Sequence, residues 1–290
     1  MTTLSSLPVT HSINHRALRQ FLSNPAGLLG LLILLVVVAM AVIAPWLFPD
    51  DPLDMVATPL VLPGHDWAWP LGTDAMGRDL TAGIFHGARI SLMIGLGATL
   101  IGLCAGTLIG SLSGYYGGVI DNLLMRLTTL FQTMPAFLLV IIILAVSTPS
   151  VSLIIFSIGM TTWPTIARLV RAEFRTLRES DFVLAARCQG YSPWHIIFRE
   201  MLPNALPAII VTASVMVASA ILMEAALSFL GLGDPNVVSW GFLIGSGREM
   251  LRTAWYLTAI PGLALVITLL GLNLLGDALN DAFNPRLSEQ

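Results

Sequence analysis

Few residues in this 290-residue chain could do chemistry, and their spacing limits what they can do. Glu224, in the stretch ILMEAALSFLGLG, is the one acid placed well inside an apolar segment of helical length. A charge at the centre of a bilayer costs about 2.5–3.5 kcal/mol on insertion scales, so such a residue usually faces a cavity or a partner. Counted from Ala208, Glu224 falls toward the outer end of its helix, where the cost is smaller. Two roles stay open for it: a pathway or gate residue, or a brace for the GLGDP loop that follows. His11 and His15 stand four apart, as two metal ligands on a helix would, but they sit in a polar tail with no third ligand. No metal site is expected there. His65, His86 and His195 are isolated from one another. Gly245-Ser246-Gly247 lacks the G-x-S-x-G frame of a nucleophile elbow and has no histidine nearby. Every basic side chain is arginine, so the chain can hold neither a phosphate-cradling loop that ends in lysine nor a Schiff base. Cys104 and Cys188 show no metal or disulfide spacing and read as buried packing residues. No catalytic residue emerges, and no plausible base stands near a serine.

The elements that would position these residues are membrane helices. The chain is 56% hydrophobic and 11% charged, with a mean hydropathy of +0.82, where a soluble domain carries about 25% charge. A cytoplasmic tail over 1–24 leads into a first span at 25–48. Ala39-Met40-Ala41 resembles a signal-peptidase site, but the apolar run is too long for a signal peptide, and an uncleaved anchor is expected. A loop over 49–88 holds Asp50, Asp51, Asp54, Asp66, Asp74 and Asp79 against Arg78, as the outer side of a membrane would. Further spans are expected at 90–113, 127–146, 151–170, 208–230 and 255–276, with a cytoplasmic loop at 171–207 and a tail at 278–290. Six crossings place both ends on one side. That side holds Arg16, Arg19, Arg126, Arg168, Arg171, Arg175, Arg178, Arg187, Arg199 and Arg286, and the other holds Arg78, Arg89, Arg248 and Arg252. The asymmetry predicts cytoplasmic termini.

Two stripes stand out on these helices. Gly102, Gly106, Gly110 and Gly114 recur every fourth residue, which places them on one face and lets another helix approach closely, within the chain or from a partner subunit. Arg168, Arg171, Arg175 and Arg178 also share a face. A helix end leaving the inner leaflet, with arginines snorkelling to lipid headgroups, accounts for them better than a nucleic-acid site.

The stretch FVLAARCQGYSPWHIIFREMLPNALP interrupts the apolar pattern. Phe182, Ala185 and Ala186 form the apolar face of a short helix that Gly190 ends. Ser192 caps a second short helix, Pro193 takes its first position, and Ile196, Ile197 and Met201 give it an apolar face. Such a pair on the cytoplasmic side is a shape for docking into a groove on another protein. The stretch resembles the coupling loop of ABC-importer permeases: Ala185, Ala186, Gly190, Leu202 and Pro203 match position by position, whereas Leu184 stands where that family has an acid. Glu224-Ala225-Ala226 spells the same motif inside a membrane helix, where no loop can lie. LGTDAMGRDL (71–80), EAALSFLGLG (224–233), NLLGDALNDAFNPR (273–286) and the N-terminal NPAGLLGLLILL narrow the resemblance to the second permease chain of the dipeptide, oligopeptide and nickel importers.

The resemblance implies an all-α polytopic membrane protein with six transmembrane helices. Residues 89–277 would form an ABC transmembrane type-1 (MetI-like) domain in the inner membrane. It implies import of short peptides, with nickel as the alternative, by alternating access. The partners would be a homologous second permease subunit, two ATP-binding subunits and a periplasmic substrate-binding protein. ATP and Mg would be used by those ATP-binding subunits, so this chain would bind no cofactor and catalyse nothing itself. A stand-alone secondary transporter or channel is the reading from a different class. Such proteins typically carry internal repeats, and none is found.

Overall fold

The structure, a computed structural model, describes residues 20–283; His11, His15 and the last residues of the chain lie outside them. The helices of the bundle mostly begin where a short polar side chain takes up free amides. Asn24 accepts from the amides of Ala26 (3.0 Å) and Gly27 (3.2 Å), Pro25 fills the first turn, and α1 (Pro25–Leu47) follows. Asp79 accepts from Thr81 N at 2.7 Å and opens α2 (Leu80–Tyr116). The sequence places this span at 90–113, but no proline interrupts 80–89 and Asp79 supplies the cap, so the helix begins there and its 37 residues overrun the bilayer.

The third span departs most from expectation. In place of one helix over 127–146 there are two, α3 (Gly118–Thr133) and α4 (Ala136–Ala145), bent by 76°. Pro135 is the cause. It has no amide to donate, and it holds Met134 in an extended conformation (φ −88, ψ 131) that stops α3. Ser150 caps α5 (Val151–Leu177) by accepting from Leu153 N at 3.3 Å. The short α6 (Asp181–Cys188) leads to α7, which runs unbroken through Pro193–Phe229. A short helix, α8 (Trp240–Gly247), precedes α9 (Tyr256–Phe283).

Contacts between loops define the two ends of the bundle. At one end the amide of Val151 donates to Asp234 at 3.2 Å, and Tyr256 Oη donates to the Thr73 carbonyl at 2.9 Å. At the other, the Arg187 guanidinium lies 5.2 Å above the Tyr115 ring, beside the α2–α3 turn. The bent pair therefore connects one end to the other and counts as a crossing. Together with the five long apolar helices it makes six among the described residues.

Three apolar clusters hold the bundle. One, around Trp240, Tyr256 and Ile84, sits at the end that carries α8. A second joins Phe174 and Val170 of α5 to Ile196, Ile197 and Met201 of α7. The third lies between α2, α4, α5 and α7 around Ile94, Val140 and Ile154. Leu32 and Leu35 on the outer face of α1 are more than half exposed, as lipid-facing side chains are.

Candidate functional site: an aromatic knob and a buried carboxylate

The interrupted stretch folds into a knob at the end of the bundle opposite α8. α6 ends in a Schellman turn: Tyr191 N donates to the Ala186 carbonyl (3.2 Å) and Gly190 N to that of Arg187 (3.0 Å). This geometry needs a left-handed residue, and Gly190 supplies it with φ +77. Ser192 then accepts from His195 N at 3.3 Å, and Pro193 opens α7.

Two expectations for this stretch are corrected. The buried face of α6 is Val183 and Ala186, while Phe182 and Ala185 are exposed, because α6 turns that face onto the Ile196–Met201 stretch. The second short helix does not stop before the membrane but is the first part of α7. It passes Pro203 by widening into a π-helical stretch, Ile196–Met201, which accommodates the proline ring. Asn204 Nδ2 donates to the Glu200 carbonyl at 2.6 Å in that turn. Ile196, Ile197 and Met201 are buried against α5 as the sequence predicts. Leu202 is half-buried and Pro203 exposed.

The outward side of the knob is apolar and aromatic. Phe182, Leu184, Tyr191, Trp194 and Phe198 are each at least 39% exposed. Trp194 and Phe198 stack with centroids 5.7 Å apart, and Tyr191 stacks on His195 at 4.5 Å. A rigid aromatic surface on a helix braced from behind suits a protein groove. Leu184, which takes the place of an acid, adds to that apolar surface.

Glu224 lies at the other end of α7, 1% exposed. Its Oε1 accepts from Ser228 Oγ and Ser239 Oγ, both at 2.7 Å, and Oε2 lies 3.5 Å from Ser91 Oγ. Ser239 is also the N-cap of α8, accepting from Phe242 N at 3.1 Å. Trp240 is held in turn by Ser91 Oγ and by the Ile84 carbonyl, which accepts from Nε1 at 3.0 Å. The carboxylate fastens α8 to α2 and α7 through these three serines, and none of its hydrogen bonds goes to the GLGDP loop itself.

The glycine stripe packs within the chain. Gly102, Gly106, Gly110 and Gly114 of α2 face Thr162, Ile166, Val170 and Phe174 of α5, so closely that a Cβ at Gly106 would lie 2.6 Å from that of Ile166. The arginine stripe is less lipid-directed than expected. Arg171 forms a two-pronged ion pair with Asp121 (2.5 and 2.6 Å), Ser113 Oγ donates to the same carboxylate, and Arg168 donates to Thr129 Oγ1 at 3.3 Å. Sequence reasoning missed Asp121, whose partner is 50 residues away. Cys104 and Cys188 are exposed and not buried, since each lies on the helix face turned away from its neighbours.

Comparison with known proteins bears on what this arrangement serves. Residues 106–289 match the family model described as binding-protein-dependent transport system inner membrane component. Residues 12–60 match the N-terminal TM domain of oligopeptide transport permease C. The di/tripeptide transport system permease protein DppC of Pseudomonas aeruginosa is 38% identical over 93% of this chain and 91% of its own length. The dipeptide transport system permease protein DppC of Bacillus subtilis is 36% identical over 95% and 87%. The glutathione transport system permease protein GsiD of Pectobacterium atrosepticum is 35% identical over 94% and 89%. The fold resembles a chain of the inward-facing MetNI methionine ABC transporter, with a TM-score of 0.55 and 19% identity over 71% of this chain and 96% of that one. The chain is a multi-pass permease of the binding-protein-dependent ABC-importer family, a member of its inner-membrane component.

Proposed function

We propose that this chain is one of two homologous permease subunits in an importer of short peptides. In this reading both termini are cytoplasmic. Two separate ATP-binding subunits, which use the ATP and Mg, take the Ala185–Pro203 knob into their clefts. A periplasmic binding protein delivers the peptide to the acid-rich outer face. The observation that carries the coupling role is the exposed stack of Trp194 and Phe198 beside the left-handed Gly190, on a helix that continues without a break into the membrane. A push on that knob is delivered along α7 to Glu224 and α8, because a continuous helix transmits displacement along its axis.

Peptide is preferred to nickel because relatives along nearly the whole chain carry dipeptide, di/tripeptide or glutathione transport in their names. Deletion of the gene tests this. Uptake of radiolabelled dipeptide should be lost and nickel uptake unchanged; the reverse result overturns the peptide reading. ATP-binding subunits should co-purify with the chain in mild detergent, which a stand-alone transporter would not require.

A further inference from the structure

The bend between α3 and α4 leaves backbone polar groups open at mid-membrane depth. The ten residues of α4 rise about 15 Å from the end of the bundle that carries α8, roughly half of a ~30 Å hydrocarbon core. No side chain caps the first turn of α4. At the end of α3, Thr133 Oγ1 donates to the Leu130 carbonyl at 2.7 Å, and residues 132–136 are all exposed. Hydrocarbon cannot satisfy free amides and carbonyls, so non-helical backbone at this depth belongs against protein or a watery cavity.

Two independent features place a path there. A cavity of about 270 Å³ opens at the bend, lined by Gln132, Pro135, Thr161 and Thr165. Pro164 lies between those threonines, so α5 also lacks an amide for one of its carbonyls at the same level. Below the bend, Asn122, Arg126, Thr129 and Thr133 recur at steps of four, three and four on α3, all exposed. A shallow, open groove of about 450 Å³, lined by α3 alone, runs along them. A polar stripe on the outward face of a membrane helix is not a lipid surface.

We propose that the polar face of α3, together with the bend at Met134–Pro135, is this subunit's wall of the inner half of the translocation path. Gln132, Thr161, Thr165 and the open backbone there bond the main chain of the passing peptide. This rests on the peptide reading above. The bend offers donors and acceptors without formal charge, which suits amide groups common to all peptides and not any one side chain. The charges on or beside the stripe, Arg126 and Arg168, are both positive. They attract a peptide carboxylate and repel a divalent cation.

The test uses the assembled complex in proteoliposomes, with Cys104 and Cys188 replaced by serine. Thr129→Cys and Gln132→Cys should react with a membrane-impermeant cationic methanethiosulfonate far faster than Leu35→Cys on the lipid face of α1. Alanyl-alanine should slow that reaction during turnover. Labelling as slow as at Leu35→Cys overturns the wall, and fast labelling that an imported peptide does not slow overturns the contact. Thr165→Val, which keeps the side chain's shape, should raise the half-saturating peptide concentration about tenfold for one lost hydrogen bond, with the ATP-binding subunits still bound. An unchanged value overturns the contact. If the unsubstituted complex imports no alanyl-alanine, the peptide reading fails instead, and the labelling rates still decide whether α3 lines a watery path.

Discussion

Among the described residues, Glu224 and Asp121 are the two acids buried within membrane helices whose partners the fold supplies, and they differ in how visible they are. Glu224 is conspicuous in the sequence as a lone charge in an apolar run. Its purpose was not, because Ser91 is 133 residues away and Ser239 lies beyond a loop. Asp121 is hidden by its position near a helix start, where acids are ordinary. If Glu224 fastens α8, then Glu224→Ala strands the Ser228 and Ser239 hydroxyls in a dry site, at about 1–3 kcal/mol for each unsatisfied group. The purified complex should unfold at a distinctly lower temperature. Glu224→Gln keeps an acceptor oxygen and should lose less. Equal losses in the two variants would mean that the site needs the charge and not the acceptor. For the ion pair, Asp121→Ala should reduce membrane levels by leaving Arg171 half-buried without a partner. The exchanged pair Asp121→Arg with Arg171→Asp should recover part of that loss, as read by quantitative immunoblotting.

At the scale of elements, the sequence disclosed what local chemistry dictates. Ser192 with Pro193 marked a helix start, Gly190 a helix end, and four glycines a close helix contact; all three features sit in the structure at those residues. What it concealed was continuity. Pro135 breaks its span while Pro203 does not break α7, because the Ile196–Met201 turn before Pro203 widens to admit the ring. The continuity of α7 changes what the knob can do. Gly190→Val cannot tilt α7, which is anchored through the membrane; it can only re-aim α6. A Cβ at Gly190 would meet nothing within 4 Å, so the harm comes from φ +77 alone, about 1–3 kcal/mol for a β-branched residue. Gly190→Val should therefore reach normal membrane levels yet lose transport and bind ATP-binding subunits weakly. Gly190→Asn, which tolerates the left-handed region, should retain more of both. Gly106→Leu should behave in the opposite way, lowering protein levels outright, since its side chain would drive into Ile166 and the Trp163 carbonyl.

For the whole molecule, the coupling role depends on which way the bundle sits in the bilayer, and the bent third span gives that a direct test. The acid-rich loop and α8 gather at one end, and the arginine-rich segment gathers at the other. Under the positive-inside rule the second end faces the cytoplasm. Reporter fusions after Pro63 should then report the periplasm, and those after Arg178 and at Gln290 the cytoplasm. The decisive site is Ser147, just past α4. If α3 and α4 cross as one bent span, Ser147 shares a side with Pro63, as the bond from the Val151 amide to Asp234 requires. If the pair instead dipped in and returned, Ser147 would be cytoplasmic and every later helix would be inverted. That would leave Arg178 outside and Gln290 opposite the N-terminus. A fusion at Ser147 with periplasmic activity and one at Arg178 without it, in the same strain, would support the six-crossing arrangement. The opposite pair of results would remove the knob from the cytoplasm and, with it, any contact with an ATP-binding subunit.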